Sequence, residues 1–293
     1  MKPSGPLRRS ILMALASLTL GVWNARAAAA VMAYRYWDWG LTPRRDDYQV
    51  AVLTLALEKT VATHGPFSVT RVSDAMSTSR INVEIRKGRR VNIHAGPWRD
   101  MATDDALERN IRIDIPIMSG LLGYRALVVR KDEMAAFKAI KDAAQLKQKI
   151  AGLGRGWVDV TVLRHNGYNV DDSGNVATLV DMLVNKRFDY LPLSVTEADS
   201  VLTPQLAVVP DLVLYYPLPT LFYVSISEPK LAERLESGLA LAKRDGSLDE
   251  LVARHFQKEI KQLKSSTTRC LLLSNPTLPK AYAAEPPMLL RKP

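Results

Sequence analysis

The sequence predicts an α/β protein of two lobes, each a mainly parallel sheet flanked by helices. Three observations carry this. Short apolar runs alternate with segments of helical spacing, the pattern of a parallel sheet covered by helices. The alternation comes in two series joined by extended segments, which places a cleft between two lobes. The second series contains a strand, a glycine turn and a helix mouth at Ile150 to Leu163, a place where such proteins hold ligands.

The first series opens with a strand at Val31 to Trp37 that ends at Asp38 and Gly40. A polar turn, Thr42 to Asp47, leads into a helix from Tyr48 to Thr63, where Val52, Leu55, Ala56 and Lys59 fall on neighbouring turns and Asp46 or Asp47 is the cap. Phe67 to Val72 reads as a strand, Met76 to Lys87 as a helix, and Val91 to His94 as a strand closed by Ala95-Gly96-Pro97-Trp98. An irregular acidic loop, Thr103 to Glu108, precedes two extended segments, Ile111 to Ile117 and Tyr124 to Arg130, on either side of a Gly120 to Gly123 turn.

The second series has a helix at Ala143 to Lys149, a strand at Ile150 to Leu153, a helix at Val158 to Asn166 and a short strand at Tyr168 to Val170. A helix at Val176 to Asn185 and a strand at Asp189 to Leu193 follow. Leu206 to Leu214 and Leu221 to Ile226 are extended. Pro229 to Arg244 and Leu248 to Glu259 are amphipathic helices around the turn Asp245-Gly246-Ser247. The tail from Ser265 carries Pro276, Pro279, Pro286 and Pro287 and reads as an extended strap or a flexible end.

Residues 1–27 stand outside the fold. Lys2, Arg8 and Arg9 precede an apolar run from Ile11 to Val22, and Ala25-Arg26-Ala27 is a small-x-small cleavage site, so the chain is expected to be exported to the periplasm by a cleaved signal peptide. Removing its four basic residues lowers the formal charge from +10 to +6. No basic block interleaved with aromatics occurs, so nucleic acid is not an expected partner; a monomer meeting a small-molecule solute is. Cys270 is the only cysteine, which excludes an intrachain disulfide, and in its apolar run it reads as a small hydrophobe.

Catalysis is not expected, and neither is a metal or cofactor. The four histidines lack metal-ligand spacing, no G-x-S-x-G elbow occurs, and Gly152-Leu153-Gly154-Arg155-Gly156 has G-x-G-x-G rather than dinucleotide spacing. The turn leaves two readings open. Its unpaired N–H groups, at the positive end of a helix dipole, can hold a carboxylate or phosphate, or Gly156 to Asp159 only turn and cap the helix.

From Arg109 through Phe256 the chain resembles the periplasmic solute-binding proteins of the amino-acid-binding type, the receptors of ABC importers. The resemblance lies in Arg109 to Pro116, Ala126 to Lys131, the helix mouth at Gly154 to Asp159, Leu183 to Tyr190, Glu228 to Leu231 and Leu241 to Leu251. It implies a two-lobed periplasmic-binding-protein-like (type II) fold that closes on a small solute. Residues 28–120 with 221–260 would form lobe 1, residues 121–220 lobe 2, and residues 261–293 a tail. An ABC permease, or a membrane sensor in a signalling relative, is the implied partner.

The resemblance also implies a site. An arginine of lobe 1, Arg109 or Arg99, would grip a ligand carboxylate in two-point fashion, and Gly156, Trp157 and Asp159 would supply the helix mouth. The receptors' ammonium-binding acid falls at Ser194, which has no charge, and Glu197 is the nearest substitute. Tyr36, Trp39, Tyr48, Trp98 and Trp157 are candidate walls. The expected solute is small and polar, anionic or zwitterionic.

Overall fold

The computed structural model describes residues 31–283 apart from 39, 41, 75, 101–105 and 107–108. The expected signal segment, most of the acidic loop and Trp39 lie outside the described residues. Two sheets organise the rest. The first has the order β2-β1-β3-β10-β4, from β1 (Met32–Asp38), β2 (Phe67–Ser73), β3 (Ile93–Pro97), β4 (Ile111–Ile113) and β10 (Thr220–Val224). β1 runs parallel to β2 and β3, while β10 is antiparallel to β3 and β4, because it returns from the other lobe.

The second sheet has the order β11-β9-β5-β8-β6-β7, from β5 (Tyr124–Arg130), β6 (Ile150–Gly152), β7 (Asn169–Asp171), β8 (Tyr190–Ser194), β9 (Leu206–Tyr215) and β11 (Arg269–Leu272). β6, β7 and β8 are parallel, and β5 is antiparallel to both β8 and β9. Every residue of β5 is buried. Its side chains alternate, Leu127 and Val129 joining one apolar cluster and Ala126 and Val128 another, as a strand covered on both faces requires.

In lobe 1 the helices Pro43–Glu58, Pro229–Arg244 and Ser247–His255 cover one face, packing on Tyr34, Tyr36, Ile93, Phe222 and Val224. The helix Thr78–Lys87 covers part of the other face through Ile81 and Ile85 against Trp37 and Val91.

Three of the differences from the sequence reading bear on the architecture. The first helix begins at Pro43, not Tyr48, because proline at the first helical position costs no hydrogen bond and the polar residues after it form the first turn. The last amphipathic helix breaks at Phe256, whose ring is fully buried and whose backbone leaves helical geometry, so Gln257–Leu263 is a separate helix. The tail contains a strand. β11 adds to the second sheet parallel to β9, and Leu273 continues the pairing onto the Tyr215 carbonyl. Asn275 then bonds the Pro217 carbonyl between β9 and β10, and Leu278 is buried against Trp98, Leu221 and Tyr223 of lobe 1. The tail therefore touches both lobes. Cys270 lies half-buried in β11, where burial pushes its thiol up to about 12.

No helix among the described residues is long and apolar enough to cross a membrane.

Candidate functional site

The C-terminal end of β1 and the first turn of helix Pro43–Glu58 form the lobe 1 side of a charged junction between the lobes. Asp38 ends β1, is nearly fully buried, and accepts from Arg71 of β2. Arg71 also reaches Asp47 at 2.5 Å. Asp46 turns inward instead of capping the helix: it accepts from Thr42 Oγ1 at 3.1 Å, and its Oδ2 has no partner among the described residues. Burial pushes its carboxyl up to about 6, with Arg45 opposing and Asp38 adding to the rise. Beside it, Tyr36 donates to Gln49 Oε1 at 2.7 Å.

The lobe 2 wall is built from the start of β5, the helix mouth before Val158–His165 and the turn after β8. Arg125 is buried, 2.6 Å from Asp159 Oδ1, and its Nε donates to the Tyr216 hydroxyl at 2.8 Å. The Tyr216 hydroxyl donates in turn to Asp159. Burial disfavours the charge on Arg125, but Asp159, Tyr216 and Glu197 more than offset it and hold its pKa above the ordinary arginine value.

Asp159 therefore does not cap its own helix, which has no side-chain cap. The loop is held by Arg155 N–H on the Gly174 carbonyl and Trp157 N–H on the Gly154 carbonyl, and no backbone carbonyl among the described residues takes the N–H of Gly156, Val158 or Asp159. Gly156 has φ of +77°, with open space where a Cβ would stand, while a Cβ at Gly154 would meet the Trp157 indole.

The two walls meet at Arg45 and Glu197. Arg45, from the first turn of the lobe 1 helix, forms an ion pair with Glu197, which follows β8 in lobe 2, and lies 3.6 Å from Asp46. Both members of the pair are largely shielded, with side chains 13% and 10% exposed. Burial works against the Arg45 charge, and Glu197 and Asp46 outweigh it, raising its pKa. The result is an alternating line of charge across the junction between the lobes: Asp46, Arg45, Glu197, Arg125, Asp159.

The sequence-derived candidates divide by place. Asp159 and Glu197 lie together around Arg125, with Ser194 paired opposite Arg125 in the sheet and its hydroxyl against Thr196. Gly156 and Trp157 form the mouth. Tyr48 is fully buried, its hydroxyl on the Ile117 carbonyl and its ring against His255 and Phe256, so it packs the lobe 1 core. Trp98 is buried with Leu221, Tyr223 and Leu278. The Arg99 guanidinium lies 4.8 Å over the Tyr223 ring, and Arg109 is exposed with its carbonyl taken by Arg86. Neither arginine meets the Glu197 and Asp159 group.

The sequence reading did not single out Arg45, Arg125 or Tyr216. Arg125 had a visible signal, an arginine inside a run otherwise apolar enough for a two-face-buried strand. Among the described residues no group of three or more His, Cys, Asp or Glu side chains is arranged to hold a metal ion.

A scan against protein-family models and a search of the curated proteins find no match. Solved structures do match. An ancestral arginine-binding protein bound to arginine superposes with a TM-score of 0.52 at 18% identity, over 76% of this chain and 98% of that one. A periplasmic binding protein of Salmonella typhimurium with high arginine specificity gives 0.52 at 14% identity, over 78% and 99%. An arginine transport-system periplasmic binding protein of Legionella pneumophila gives 0.50 at 14% identity, over 71% and 88%. The chain has the two-lobed fold of these binding proteins.

Proposed function

We propose that this chain is a divergent solute-binding protein, exported to the periplasm, that captures a small zwitterionic solute by closing its lobes and delivers it to an ABC importer. The observation that carries the reading is the meeting of Arg45 on one wall with Glu197 on the other. A solute between the lobes finds a guanidinium for its carboxylate on lobe 1 and a carboxylate for its ammonium or guanidinium on lobe 2. The unpaired N–H groups at the Gly156 to Asp159 mouth are further acceptor-seeking groups on the same wall. Closure follows because only a solute touching both lobes binds the closed form better than the open one.

The charge balance narrows the solute. Arg45, Arg71 and Arg125 face Asp38, Asp46, Asp47, Asp159 and Glu197, so carboxylates outnumber guanidiniums. A bare anion is disfavoured in such a cleft, and a zwitterion with a cationic side group is favoured. The likeness to arginine-binding proteins, over 76–78% of this chain and nearly all of two of them, supports the same class. In this reading Glu197 takes the work that Ser194, at the receptors' usual acid position, has no charge to do, and Arg45 takes that expected of Arg109 or Arg99.

A thermal-shift screen of the mature protein against amino acids, small carboxylates, amines and short peptides tests the proposal. A solute at a hundred times its dissociation constant adds about 2.7 kcal/mol of stability, a readily measured rise in the unfolding midpoint. A flat response to every zwitterion contradicts it.

A further inference from the structure

Resting on the reading that the lobes move against each other, we infer that residues 264–278 are a brace that limits how far they separate. A chain whose first lobe is built from two separate parts needs two crossings between the lobes, and these run from β4 to β5 and from β9 to β10. Among the described residues the chain crosses twice more. It leaves lobe 1 after helix Gln257–Leu263, enters the second sheet as β11, and returns to lobe 1 at Leu278.

Both added links are fastened to both lobes. At the outgoing link Leu263 is buried in the lobe 1 core, and Thr268 Oγ1 donates to the Gln262 carbonyl at 2.7 Å. Thr267 Oγ1 donates to Asp211 of β9 at 3.0 Å, and Arg269 already pairs with Leu212. Lys258 of the same helix lies 3.0 Å from Asp199 of lobe 2, so helix and link hold one flank together. The return link follows the β9 to β10 crossing step for step. Leu273 N–H donates to the Tyr215 carbonyl, Asn275 Nδ2 to the Pro217 carbonyl at 2.9 Å, and Leu278 packs with Leu221. Ser274 N–H donates to Asn166 Oδ1 at 3.1 Å and its carbonyl accepts from Asn166 Nδ2 at 2.8 Å, which ties the link to the far end of the helix that carries the mouth.

Chain length sets the limit. From Leu263 to Arg269 the backbone reaches at most about 20 Å when fully extended, and from Leu273 to Leu278 about 17 Å. Beyond that separation the lobes part only by pulling Leu263, Leu278 or β11 out of place. Hinge rotation itself survives. The return link lies along a crossing that such a rotation leaves nearly in place, while the outgoing link loses the Thr267 or Thr268 bond as its flank opens. The brace therefore removes the widest open states and leaves closure on a solute intact, so less of the solute's binding energy goes into bringing the lobes together.

Electron–electron distance measurements between spin labels test the brace. Glu58, at the end of helix Pro43–Glu58 away from the junction, and Lys138, beyond the far end of β5, are both exposed and stand on opposite lobes. Labels at E58C and K138C in a C270S background give the parent distribution, which is expected to be narrow. Two variants release the brace: N275A/L278A removes anchors of the return link, and a six-residue Gly-Ser insertion after Ser266 lengthens the outgoing link. The insertion leaves every anchor residue in place, so it keeps the test standing if N275A/L278A loses its cooperative thermal transition. Each inserted residue adds at most about 3.6 Å of reach, so distances several ångströms beyond the parent's are expected. Longer distances in either folded variant support the brace, and distributions equal to the parent's in both overturn it. No solute enters this measurement. A flat thermal-shift screen counts against the solute-binding reading, and the label distances then decide the brace on their own.

Discussion

Arg125 and Asp159 form a buried ion pair at 2.6 Å that fastens the helix mouth of lobe 2 to the central strand of its sheet. With the Tyr216 hydroxyl bonded to both, three elements converge on one point: the start of β5, the end of β9 and the first turn of Val158–His165. The mouth is thereby aimed by its own acid, and that acid is spent on position rather than on capping.

Removing one member of this pair strands the other. Asp159→Ala is expected to lower stability by about 3–5 kcal/mol in urea unfolding, whereas the paired change of Arg125→Met with Asp159→Leu costs much less, because no buried charge is left over.

Gly238 sits where helix Pro229–Arg244 crosses helix Pro43–Glu58, and a Cβ there would press on the Ala56 carbonyl oxygen. Gly238→Ala is therefore expected to destabilise by about 1–3 kcal/mol despite the better helix propensity of alanine. A lowered thermal midpoint checks this; an unchanged or raised one contradicts it.

Two buried groups give stability opposite dependences on pH. Burial, helped by the Arg99 charge, holds His94 down to about 3, while its ring packs against Tyr223 and Trp37. The folded chain therefore binds fewer protons at His94 than the unfolded chain, and stability falls as pH drops from about 6.5 towards 3. Asp46, raised to about 6, has the reverse sign: its contribution falls as pH rises from 3.8 to about 6. In urea unfolding at stepped pH, His94→Phe should lessen the loss of stability on acidification and Asp46→Asn should steepen it.

Truncation after Lys264 removes β11 and the Leu273 and Leu278 anchors. Burying such a leucine is worth about 1.5–3 kcal/mol, so the truncated protein should melt well below the full chain. The same truncation uncovers the edge of β9 and the Trp98 face, and light scattering should report increased self-association. Equal melting temperatures would show that the tail adds no stability.

The fold was legible because its strands are short apolar runs separated by helical spacing, as at Tyr124 to Arg130. The start of the first helix was not, since Thr42 to Asp47 is polar enough to read as a turn when only apolar periodicity is followed. β11 was hidden because Arg269 to Leu272 is short and lies in a proline-bearing tail, and its strand identity comes from β9 beside it. Among the candidate site residues, Asp159 and Gly156 could be named from the glycine turn, and Glu197 from the charge missing at Ser194. Arg45 could not, because an arginine in a polar first turn looks solvated until the opposite lobe brings Glu197 to it. Tyr48 and Trp98 could serve core or cleft in any one-dimensional reading; their burial follows from helix and tail packing that only the tertiary fold creates.

The most direct test of the account is a calorimetric titration of the mature protein with L-arginine and neutral zwitterionic amino acids, run beside E197Q. The account predicts saturable one-to-one binding of a zwitterion to the wild type and at least a tenfold loss in E197Q, the scale of a shielded charge pair. Absence of binding to the wild type, or equal affinity in E197Q, would contradict it.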